Sequence, residues 1–185
     1  MAISDGLGVR VKNAIADGAY GDELITILNA QSPAGGVATN TATGTGALDA
    51  NTTGANDSAF GYQALDANTT GDKNSAFGSG ALGGNTTGAE NTAVGYLALT
   101  AETIGINNVA VGSSALAALT TGNDNVAVGQ QALDALTTGI DNIAIGSNAL
   151  GACTIGTDNI AIGDDSLLVC TTGVNNVAIG GDALT

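Results

Sequence analysis

Asn108-Val109-Ala110-Val111-Gly112-Ser113-Ser114-Ala115-Leu116-Ala117-Ala118-Leu119-Thr120-Thr121-Gly122-Asn123-Asp124 is one period of this 185-residue chain. Seventeen residues after Asn108, Asn125-Val126-Ala127-Val128-Gly129 opens the same pattern again. Glycine recurs at 44, 61, 78, 95, 112, 129, 146, 163 and 180, with no insertion or deletion. Alanine stands two residues before each of these glycines and leucine four after it, from Ala42 and Leu48 to Ala178 and Leu184. Asparagine stands four before, except at Asp57. A second glycine closes Thr-Thr or Thr-Ile at 54, 71, 88, 105, 122, 139, 156 and 173.

The period selects the architecture. Helical solenoid units need about 33–47 residues, because two helices and their turns must fit. Seventeen residues suit one coil of a parallel β-solenoid with two short strands and two turns. Asn108–Gly112 alternates as a strand does, and Val and Ile dominate its variable positions from Thr92 onward. Ala115–Leu119 is too short between glycine turns to hold a helix and is read as the second strand. Thr-Thr-Gly is a turn. The expected fold is therefore all-β, a parallel β-solenoid of nine 17-residue coils over residues 37–185. Equal positions then stack about 4.8 Å apart.

Stacking turns each repeated position into a column. Asn74, Asn91, Asn108, Asn125, Asn142, Asn159 and Asn176 are placed to form an amide ladder with a structural role. Leu48 and Ala50 share a face, and leucine is assigned to the inside. Small alanine then suits the opposite wall, which turns Val94, Val111, Val128, Ile145, Ile162 and Ile179 outward as an apolar stripe. A monomer rarely exposes such a stripe, so it is the candidate interface between chains. The reverse assignment, with Val and Ile inside and a flat alanine wall outside, also satisfies the alternation.

Composition narrows the function. The net charge is −14, with only Arg10, Lys12 and Lys73 basic, which argues against a nucleic-acid partner. One proline and no triplet glycine period exclude collagen. An apolar content of 44% argues against disorder, and no apolar run is long enough to insert into a membrane. With no histidine and no paired acids in view, the chain is not expected to be an enzyme, and no cofactor is expected. Cys153 and Cys170 do not form a CxxC pair, so no metal site is expected. Being one period apart, they fall within disulfide range, but their column also holds Leu119 and Leu136, which favours free thiols in an apolar slot. Asp124, Asp141 and Asp158 share a turn column and are read as solvated rather than as a Ca²⁺ ladder. Adjacent threonines point to opposite faces, which argues against a flat ice-binding array.

Asn-Asn-Val-Ala-Val-Gly at 107–112, Asp-Asn-Ile-Ala-Ile-Gly at 141–146 and 158–163, and Asn-Asn-Val-Ala-Ile-Gly at 175–180 resemble the head repeats of trimeric autotransporter adhesins. With Thr-Thr-Gly and Ala-Leu between copies, the motif is also similar to repeats of bacteriophage fibre and virion-surface proteins. The resemblance covers about residues 37–185. It implies a left-handed β-roll assembled as a homotrimer, which makes the outer stripe a trimer interface. The 17-residue step is longer than the usual adhesin-head period. Met-Ala-Ile-Ser-Asp-Gly does not read as a secretory leader, and no stalk or membrane anchor is evident. These departures shift the expectation from an adhesin toward a phage virion, made in the host cytoplasm and released by lysis.

Residues 1–36 lie outside the repeat. Val9-Arg10-Val11-Lys12 resembles a short strand, and Leu24, Ile27 and Leu28 fall on one face of a short helix. This small α/β segment is expected to cap the first coil and to dock the rod, with Arg10, Lys12, Leu24, Ile27 and Leu28 as candidate contacts. The expected function is a homotrimeric capsid decoration protein or head fibre. The alternative is a tail-fibre segment or adhesin head that binds a host-cell receptor.

Overall fold

The computed structural model describes residues 40–168 and 170–185. The N-terminal docking segment, with Arg10, Lys12, Leu24, Ile27 and Leu28, lies outside the described residues. The chain is all-β, with no helix among the described residues. Each period contributes one strand: β1 (Thr41–Thr43), β2 (Ser58–Phe60), β3 (Ser75–Phe77), β4 (Thr92–Val94), β5 (Val109–Val111), β6 (Val126–Val128), β7 (Ile143–Ile145), β8 (Ile160–Ile162) and β9 (Val177–Ile179). They pair in chain order as one parallel nine-stranded sheet. The register never slips, so Val109 faces Val126 and Val126 faces Ile143. The expected nine coils are corrected to about eight complete turns, because residues after β9 supply only the start of another unit.

The expected second strand is absent. The segment after each strand is a run of turns in which the repeated leucine adopts the left-handed region, at φ 50–57° from Leu48 to Leu184. That conformation costs an L-residue about 1–2 kcal/mol. Two gains offset it. The leucine amide donates to the next coil, as from Leu99 N to the Ala115 carbonyl and from Leu133 N to the Ala149 carbonyl, each 3.0 Å. From Leu65 to Leu150 the side chain is also fully buried, worth roughly 1.5–3 kcal/mol. The wall opposite the sheet is thus hydrogen-bonded from coil to coil without being extended.

The repeated glycine after each strand answers to the same stacking. Gly112 sits at φ 138°, and a Cβ there would lie 2.3 Å from the carbonyl oxygen of Gly129. Only hydrogen fits between consecutive coils at this point.

The core is narrow and built from small residues. The strand alanines from Ala59 to Ala161 are sealed, as are the turn alanines from Ala64 to Ala149 and the leucines from Leu65 to Leu150. Leu119, Leu136 and Cys153 complete it at the far wall. Alanine and leucine therefore face inward and the Val/Ile columns outward, which decides between the two assignments the alternation allowed.

Candidate functional site

The outer face of the sheet is the candidate site. Three-residue strands with alanine in the middle leave the first and third side chains outside. Along β4–β9 the third position reads Val94, Val111, Val128, Ile145, Ile162 and Ile179. Five of these are open to solvent, with Ile145 at 40% and Ile179 at 69%, and Val111 is half-buried. The first position adds Val109, Val126, Ile143, Ile160 and Val177 beside them. No charge interrupts the face over these strands. At the other end it changes character: Ser58, Ser75 and Thr92 flank Phe60 and Phe77, whose rings stack at 5.0 Å.

A parallel sheet ordinarily has both faces covered. Here one face is packed on the alanine–leucine core and the other is bare. The residues singled out from sequence as a stripe are brought together in one continuous band.

Inside the coil, the asparagine side-chain ladder forms from Asn91 to Asn176, and Asn74 Oδ1 joins it by accepting from Asn91 N at 3.1 Å. Asn142 Nδ2 donates to Asn125 Oδ1 at 3.0 Å, and Asn159 Nδ2 to Asn142 Oδ1 at 3.0 Å. The same oxygens accept the backbone amides of the next rung, as from Asn142 N at 3.1 Å. The side-chain amides also reach a glycine carbonyl fourteen residues on, Asn142 to Gly156 at 2.8 Å. These groups are spent on holding coils together and leave nothing for a ligand. The first threonine of each pair is spent likewise, with Thr120 Oγ1 donating to the Thr137 carbonyl at 3.0 Å.

A second polar column, not singled out from sequence, runs from the half-buried Asn51 through the buried Asn68, Asn85 and Glu102. Asn85 Nδ2 donates to Asn68 Oδ1 at 3.0 Å. Asn85 Oδ1 is the one buried side-chain polar atom without a partner among the described residues. In the next rung, the Glu102 carboxyl accepts from Gly105 N and from Asn108 Nδ2. Burial pushes it up to about 7. Asp57, in the asparagine column, accepts from Asn74 N at 2.8 Å and from Asn68 Nδ2, and burial pushes it up to about 6. Both acids are sealed from solvent, so no substrate reaches either. The clue was positional: Glu102 shares its column with Asn85 and Leu119, both interior residues.

Asp124, Asp141 and Asp158 lie on the exposed surface at φ 56–57°. The turn demands a left-handed residue, and Asp and Asn tolerate that region better than most. Cys153 is buried and Cys170 partly so, and both thiols are free. No protein-family model, curated protein or solved structure matches the chain.

Proposed function

We propose that this chain is a non-enzymatic structural rod that assembles as a homotrimer through the bare Val/Ile face of its sheet. The carrying observation is that face, an uncharged apolar band running over β4–β9 of a parallel sheet. A second copy offers a matching surface of equal length. It also keeps the acidic residues, which give the net charge of −14, out of the contact. The threefold number, the left-handed roll and the setting rest on the likeness of the Asn-x-Ala-x-Gly repeats to adhesin-head and phage-fibre repeats. In that setting the rod is a virion component, a capsid decoration protein or head fibre, docked through the segment holding Arg10, Lys12, Leu24, Ile27 and Leu28.

Light scattering of the purified chain tests the assembly and is expected to give three times the 17.7 kDa chain mass. A single-chain mass at micromolar concentration overturns it. Electron microscopy of the particle then tests the setting, with threefold rods expected on the capsid. Deleting residues 1–33 is expected to abolish particle binding and leave the rod folded.

A second reading, attachment to a host-surface receptor, is favoured by Tyr62 and Tyr96. They stand two periods apart in one turn column, 57% and 59% exposed. Aromatic rings so presented suit stacking on a sugar face. Binding of the purified rod to host cells, lost in Tyr62→Ala/Tyr96→Ala, supports this reading over the first.

A further inference from the structure

We infer that Cys153 and Cys170 are an oxidisable pair that closes a disulfide between adjacent coils when the chain meets a disulfide oxidant. They occupy the same position one period apart. The backbone beside them is already tied coil to coil, with Thr154 N donating to the Thr171 carbonyl at 3.0 Å and Ile160 in register with Val177. Rung spacing places the two Cα atoms about 4.8 Å apart, inside the roughly 4.4–6.8 Å that disulfides span. Both sulfurs point the same way. A Cβ added at Gly156 would lie 2.3 Å from Cys153 Sγ, and one at Gly173 would lie 2.0 Å from Cys170 Sγ. The inference does not depend on the proposed function.

Burial sets the order of events. Cys153 is sealed and its thiol is pushed up to about 11, whereas Cys170 is partly exposed. Cys170 therefore reacts first. Its thiolate attacks one sulfur of a small disulfide such as oxidised glutathione, forming a mixed disulfide and expelling one thiolate, which takes up the proton Cys170 released. Cys153 then gives up its proton and attacks Cys170 Sγ, expelling the second thiol. The two cysteines lose two electrons in all, and the small disulfide gains them as two free thiols. The product staples the last coils of the described rod, where Asn176 Nδ2 approaches Cys170 Sγ at 3.9 Å and fewer coils cover the core.

The test is to incubate the full native chain with oxidised glutathione and measure its intact mass under denaturing, non-reducing conditions. The expected product is a single chain lighter by two hydrogens, about 2 Da, that takes up no alkylating reagent. Its thermal midpoint should rise above that of the reduced chain, and Cys153→Ala should convert the product to a stable glutathione adduct on Cys170. Three results would each overturn the proposal: a lasting glutathione adduct on the unsubstituted chain, chains cross-linked to one another, or two alkylatable thiols after the same treatment oxidises a denatured control.

Discussion

The amide of Leu116, held at φ 51°, donates to the carbonyl of Ala132 in the next coil at 3.0 Å, while its side chain lies fully inside the core. One residue thus carries a conformational cost and the two gains that outweigh it. Leu116→Ala keeps the cost and loses the burial, and is expected to destabilise the rod by about 3 kcal/mol. Leu116→Gly loses the same side chain but relieves the left-handed strain. It should be no less stable than the alanine variant, reversing the usual order of these two residues. Urea midpoints of the two variants decide this, and a clearly more stable alanine variant would refute the account of the turn.

The bare face makes assembly sensitive to charge. Val128 and Ile145 are exposed in the single chain, so neither is needed to fold it. Val128→Asp with Ile145→Asp should leave the coil intact by circular dichroism and reduce the scattering mass to one chain or cause aggregation. An unchanged trimer would remove this face from the interface. Raising salt should strengthen the proposed trimer of the unsubstituted chain, since each copy brings a charge of −14 and screening weakens their repulsion.

Glu102 makes stability depend on pH. Its carboxyl titrates near 7 in the fold and near 4.5 when exposed, so the folded chain holds a proton that the unfolded chain releases. Its stabilising share is full below about 4.5 and is lost as pH rises through about 7. Asp57 acts in the same direction between 3.8 and about 6. Glu102→Gln removes the cost and supplies an amide hydrogen in the rung next to the unpartnered Asn85 Oδ1. At pH about 8 the variant should be more stable by up to roughly 3 kcal/mol, with little difference at pH about 4.5. Parallel melting curves across that range would expose the error.

The ladder should fail at a single rung. Asn142→Ala strips the partner from the Gly156 carbonyl and from Asn159 N, and leaves Asn125 Oδ1 with the Asn142 backbone amide alone. Leaving buried groups unpaired is expected to cost about 3 kcal/mol or more. Asn142→Asp keeps the acceptor but loses the donor and adds a buried acid like Asp57, so its loss should deepen as pH rises. Denaturation midpoints at two pH values separate the variants.

The columns were legible because a fixed period places like beside like. Small alanine at Ala110 and β-branched neighbours at Val109 and Val111 announce a strand with its narrow side inward. The second wall was not legible. Ala115-Leu116-Ala117 alternates as a strand would, and leucine carries no local signal for a positive φ; only the Ala132 carbonyl and the core beyond it force that state. Glu102 was hidden for the opposite reason: a glutamate on a turn reads as solvated until its column places it inside.

The unbroken register has a genetic consequence. Because β5 meets β6 just as β6 meets β7, the rod has translational symmetry along its sheet. Loss or gain of one whole period moves every later residue to an equivalent place. Loss of a number of residues that is not a multiple of 17 throws the alanines, leucines and asparagines out of line together. The length of the rod is thus counted in DNA, about 4.8 Å per 51 nucleotides, and recombination between repeats can reset it without redesigning a single contact.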